Sequence, residues 1–269
     1  MQQNRYVSGE TVDDQSATKR IYSSLRHAIL WGDLAPGEAL PFRTLREKYS
    51  ASMGAMREAL ARLTGEGLVA FQEQKGFWVT PINAQELEDL TRMRCLIESD
   101  ALRCAIGRGP IEYEANLLAA EHRLSRTPLP RTRESAEVWE TSHRAFHIAL
   151  VAGCGSPFQL QLVQSLLDKA QRYRYVRYRL EGEDTLIRGG RDEHKALVEA
   201  ALDREAERAV AILTEHYRKT GEFIASRMMS MLHSPMPDAE QAGWRLSKAV
   251  ASDGATAVPP GRAESTKDT

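Results

Sequence analysis

Apolar positions fall at helical spacing along nearly the whole chain once its first, polar residues are passed. Residues 1–17 are polar and aperiodic and read as a mobile arm. From Thr18 the stretch IYSSLRHAILWG puts Ile21, Leu25, Ile29 and Leu30 on one helical face. Gly32 and the LAPGEAL segment end that helix. FRTLREKYS predicts a short second helix, with Leu45 and Tyr49 four apart. A third follows in ASMGAMREALARLTGEGLV, with Ser52 as N-cap, Met56, Leu60 and Leu63 as its apolar stripe, and Gly65/Gly67 at its end. Two short β-like runs then flank EQKG and predict a hairpin. Three helices and a hairpin over residues 18–81 describe a winged helix-turn-helix.

Pro81 and Asn83 mark a boundary. Beyond it the pattern predicts six long helices over residues 82–232, about what one antiparallel bundle holds. The fold class is therefore mainly α: an N-terminal winged helix-turn-helix followed by a C-terminal antiparallel α-helical bundle. Residues 233–269 turn to Pro, Ala, Gly, Ser and Thr and read as a disordered tail.

Composition narrows the picture. A chain of 269 residues suggests two domains. No run approaches the roughly 18 apolar residues of a membrane span, and the polar N-terminus is not a secretory signal. Three scattered cysteines make neither a disulfide framework nor a Cys-rich zinc site, so a cytoplasmic location is expected. The net charge of −1 hides a local bias: residues 19–80 hold nine Lys/Arg against six Asp/Glu. That surplus hints at a DNA-facing module.

In a helix-turn-helix the second helix enters the major groove, N-terminal residues first. Here it begins near Ser52, where a phosphate contact is compatible with the capping role. Arg57 lies one turn in, and arginine grips guanine or phosphate bidentately. Arg43 opens the preceding helix, and Lys75 and Gly76 sit at the hairpin tip, where a wing reaches the neighbouring groove. The pair His143 and His147, four apart in ETSHRAFHIAL, shares one helix face and can grip a metal ion or stand as two ordinary histidines. HRAFH lacks the Glu that follows the first His in HExxH metalloproteases, because Arg144 stands there. No other catalytic motif stands out, so no enzyme is expected.

LRHAILWGDLAPGEALPFRTLREKYSAS, then MREALARLTGEGLV and a hairpin containing KGFWV, resembles the N-terminal domain of the GntR family of bacterial transcription regulators. FHIALVAGCGSPFQLQL, EHKAL and EHY resemble the FCD effector domain of its FadR branch. The resemblance spans about residues 18–230. It implies a homodimeric repressor on a palindromic double-stranded operator, released by a small carboxylate effector. It also implies a divalent metal, with Zn or Ni expected, held by His143, His147, His194 and His216. Two departures stand out: His143 replaces the usual Asp, and Met53 replaces an Arg that many members place in the major groove, so Met53 would meet a thymine methyl instead. Arg94, one turn before Glu98, matches the family's R..LE and suits an acidic effector; a plain surface pair is the alternative. RYRYVRYR, residues 172–179, cannot form one flat strip on a helix, and Arg172 and Tyr175 are taken as further pocket residues. Two other readings stay open at this point: a metal-dependent hydrolase with a fused DNA-binding-like domain, and an effector-independent DNA-binding protein.

Overall fold

A computed structural model describes residues 12–130, 132–180 and 190–233, with side chains described for 17–130, 132–174 and 190–228. The N-terminal domain comprises helices α1 (Val12–Leu30), α2 (Phe42–Lys48) and α3 (Met53–Gly65) and a small sheet. Helix α1 starts at Val12 rather than Thr18, so residues 12–17 belong to it and not to an arm. Their polarity gives no period to read, but a helix propagates cheaply from an established turn. Ser52 caps α3, its side chain accepting from the Ala55 amide at 3.1 Å. Met56, Leu60 and Leu63 are fully buried against Leu25 and Ile29 of α1.

Strands β2 (Val69–Gln72) and β3 (Gly76–Val79) form the expected hairpin. A third strand, β1 (Ala39–Leu40), joins on the far side, giving the antiparallel order β1-β3-β2 with Leu40 opposite Phe77. Two residues carry no readable alternation, so only pairing reveals β1. Gly76, at φ +81°, occupies a left-handed position that a side chain would strain.

Among the described residues, six α-helices make the second domain: α4 (Ala84–Arg108), α5 (Ile111–Arg126), α6 (Arg133–Val151), α7 (Pro157–Leu180), α8 (Gly190–Leu202) and α9 (Ala206–His233). The Asn83 side chain caps α4 from the Glu86 amide, and Thr132 with Ser135 forms a capping box on α6. Leu102, Leu117, Phe146, Leu150, Leu197 and Leu213 are buried in the bundle core. The expected tail beyond His233 lies outside the described residues. Among the described residues no helix is long and apolar enough to cross a membrane.

The domains touch directly. Ala136 of α6 is buried in the N-terminal core. Arg26 of α1 pairs with Asp168 of α7, and Arg133 of α6 bonds Asp33 through Nη2 at 2.6 Å. Asp168 also faces Arg144 of α6 at 3.1 Å.

Candidate functional site

Helix α6 buries the residues Ala136, Glu140, His143, His147 and Leu150 along one stripe. The spacing of that stripe, three or four residues, aims both histidines into the bundle. His194 comes from the first turns of α8 and His216 from the middle of α9. All four are buried, and one ring nitrogen from each can be chosen so that the four lie within 4.8 Å of one another. His147 Nε2 and His143 Nε2 are 3.1 Å apart. With Zn–N bonds of about 2.0–2.1 Å, tetrahedral ligand nitrogens sit roughly 3.4 Å apart, so the rings are spaced for an ion. His194 Nε2 is buried without a hydrogen-bond partner, the state expected of a nitrogen kept for a ligand. The donor set therefore fits a divalent metal.

Electrostatics point the same way. Burial pushes His143, His147 and His194 well below the usual histidine range, and the neighbouring imidazoles push further in the same direction. Neutral imidazole is the ligating form. His216 Nδ1 meets Glu193 Oε2 at 2.7 Å, and His147 Nδ1 meets the Tyr217 hydroxyl at 3.1 Å. Tyr217 donates in turn to Glu98. Trp139 stacks on His143, with ring centroids 4.4 Å apart and planes 15° from parallel.

Beside the histidines lies a cavity of about 80 Å³, room for a few water-sized groups and so for a small molecule rather than a polymer. Arg94 lines it, buried, donating through Nε to Glu98 at 2.7 Å and lying 3.7 Å above the Tyr217 ring. The Arg94–Glu98 pair is thus an interior feature, not a surface one. Arg94 Nη2 is buried with no partner. Arg174 and Lys219 also line the cavity. Arg174 is held by two hydrogen bonds to Glu140 at 2.9 Å, one from Nε and one from Nη2.

Arg172 is a correction. It was expected in the pocket, but it donates to the Thr80 carbonyl at the domain junction and is absent from the cavity lining. Two residues along a helix turn through about 200°, so Arg174 faces the cavity and Arg172 the opposite way. Tyr175 lies outside the residues whose side chains are described. Arg174, Glu140, Tyr217 and Lys219 escaped the sequence reading. Glu140 carried one signal, since it sits three residues before His143 on the same face.

The N-terminal domain presents a different surface. Met53, Arg57, Lys75 and Gly76 line one open groove between α3 and the hairpin, together with Phe42 and Phe71. Arg57 and Lys75 are exposed, and Met53 is half exposed. Arg43 stands outside the groove lining, 88% exposed and bonded to Glu47 at 3.1 Å.

Residues 17–79 match the bacterial regulatory proteins of the gntR family, and residues 89–219 match the FCD domain. The chain is 37% identical over 199 residues to the HTH-type transcriptional repressor GlaR of Escherichia coli K12, covering 72% of this chain and 90% of that protein. It is 34% identical over 205 residues to the HTH-type transcriptional regulator BphR of Paraburkholderia xenovorans, covering 75% and 82%. The solved structure of E. coli McbR/YncC superposes with a TM-score of 0.66 at 19% identity, over 79% of this chain and 98% of that one.

Proposed function

The chain belongs to the GntR family of bacterial transcription regulators, with an FCD domain following its DNA-binding domain, and on that premise we propose that it is a cytoplasmic homodimeric repressor released by a small carboxylate. It is a DNA-binding regulator rather than an enzyme. The observation that carries the effector reading is the buried, unpartnered Arg94 Nη2 beside four buried histidines in one cavity.

His143, His147, His194 and His216 would hold a divalent ion, Zn or Ni by the softness of four imidazoles. Bound there, it supplies a Lewis-acidic anchor for a carboxylate oxygen. Arg94 binds the effector's negative charge through Nη2 while Glu98 fixes its Nε. Arg174, locked by Glu140, and Lys219 at the rim add positive potential. Trp139 and Phe223 narrow the cavity and exclude water.

At the other end, α3 enters the major groove. Arg57 reads a base edge or phosphate, Met53 offers an apolar surface to a thymine methyl, and Ser52 and Arg43 contact the backbone. Lys75 and Gly76 carry the wing to the adjacent groove. Two-fold symmetry of a dimer would match two half-sites of a palindrome. The effector acts through its differential affinity for two placements of the DNA-binding domains. The contacts of α6 with both the cavity and the N-terminal domain support that coupling.

The test is the melting temperature of zinc-loaded protein across a panel of small mono- and dicarboxylates, with and without chelator. An acid at about 100 times its Kd adds roughly 2.7 kcal/mol, a rise of several degrees for a chain this size. One acid should raise the midpoint, and chelator should abolish that rise. No rise for any acid, with chelator also without effect, refutes the metal-anchored effector site and leaves an effector-independent DNA-binding protein.

A further inference from the structure

Imidazole ligates a metal in its neutral form, so a divalent ion held by the four rings of the histidine centre would keep its full double charge. Somewhere close, a carboxylate should offset it, and two outer contacts are available to do so. His147 reaches Glu98 only through the Tyr217 hydroxyl, and the charge of Glu98 is already matched by Arg94 at 2.7 Å. His216 is different: its Nδ1 meets Glu193 Oε2 directly, at 2.7 Å.

We propose that Glu193 is the positioning carboxylate of this centre, holding His216 by Nδ1 so that Nε2 faces the shared point, and supplying from outside the ligand ring the negative charge that four imidazoles lack. The inference rests on the reading that the four histidines hold a metal. A carboxylate that accepts from one ring nitrogen fixes the tautomer at the other, restricts ring rotation and makes the imidazole a better donor. The placement of Glu193 suits this. It precedes His194 in the first turn of α8, so a step of about 100° around the helix puts His194 in the interior and Glu193 at the rim. There its side chain is 30% exposed, and its other oxygen faces the Lys219 ammonium at 3.5 Å, a cation shared with Glu215 at 3.4 Å and so not matched to Glu193 alone. A carboxylate at the rim keeps its hydration while touching a ligand, whereas one inside the ring would have to shed it. Lys219 lines the cavity as well, so one carboxylate joins a metal-holding ring to a cation at the effector's entrance.

The experiment is competition for Zn²⁺ between full-length protein and a chromogenic chelator, on the wild type, E193Q and E193D. Glutamine keeps the shape and can still accept from Nδ1, but carries no charge. E193Q should lose roughly 10- to 100-fold in zinc affinity, and E193D should recover part of it. The melting temperature of the metal-free proteins should be the same within about a degree, since Glu193 is part-exposed. Zinc affinity of E193Q within twofold of wild type overturns the proposal. A metal-free melting temperature that falls in step with the affinity also overturns it, because Glu193 would then be supporting α8 and not the metal. Wild-type protein that holds no zinc overturns this proposal and the four-histidine reading together, whereas zinc binding by wild type with an unaffected E193Q overturns this proposal alone.

Discussion

The groove of the N-terminal domain and the cavity of the bundle are both lined by basic side chains, and they treat them in opposite ways. Arg57 and Lys75 stand in solvent around an open groove, and Arg43 is 88% exposed with one local partner. Arg94 and Arg174 are buried, each fixed by a carboxylate one helix turn away or on a neighbouring helix. A surface that must meet a long polyanion keeps its charges hydrated and adjustable, since affinity comes from many phosphate contacts and released counterions. A cavity that must recognise one small anion has its charges desolvated and oriented beforehand. The same residue type thus signals two kinds of recognition, and burial with partner geometry tells them apart.

Breaking the cavity's internal pairing should have the largest effect. Glu140→Ala leaves Arg174 buried without its carboxylate, and breaking one side of a buried pair costs about 3–5 kcal/mol. Chemical denaturation of the metal-free protein should register that loss. A loss below about 1 kcal/mol would mean that Arg174 swings into solvent and that the cavity is not built as argued. Arg57→Ala should show the reverse profile: an unchanged melting temperature, with operator affinity lowered by about 1–3 kcal/mol. Lys75→Ala should weaken binding evenly across sequences and reduce the salt slope by about 1. Equal salt slopes for wild type and Lys75→Ala would remove the wing from the DNA.

The smallest effect per group comes from pH. His143, His147 and His194 have folded pKa values below the unfolded value of about 6.5, so the unfolded chain binds more protons as pH falls and stability falls with it. Each should contribute a loss of at most about 1 kcal/mol between pH 7 and pH 6 in metal-free protein. Bound zinc should leave this slope in place, because the folded rings are unprotonated with or without it, and denaturation at the two pH values with and without zinc measures it. A flat response in the metal-free protein would mean that the rings are hydrated when empty.

Much of this was legible in the chain itself. The stripe Met56, Leu60 and Leu63 and the cap at Ser52 follow from spacing and residue type, which are local properties. So does the pairing of His143 with His147. Strand β1 was not legible, because two residues have no period. The phase of α7 was not either: periodicity says that residues 172–179 spread around an axis but not which face meets which helix, so it cannot separate Arg172, at the domain junction, from Arg174, in the cavity. Partners such as Glu140 for Arg174, or Tyr217 for His147, lie across helices and are set only by how the bundle closes.

Between Val79, the last residue of β3, and Ala84, the first of α4, only four residues intervene. Fully extended they span at most roughly 14 Å, and Arg172 grips one of them through the Thr80 carbonyl. On so short a leash the two domains face each other at an effective concentration far above that of separate molecules. Part-exposed bridges such as Arg133–Asp33 and Arg26–Asp168, worth only about 0–1 kcal/mol each, can then hold a defined seat. A seat that shallow sits on the scale of typical allosteric coupling, about 1–3 kcal/mol. It also loosens with ionic strength, by the same screening that weakens the grip on DNA.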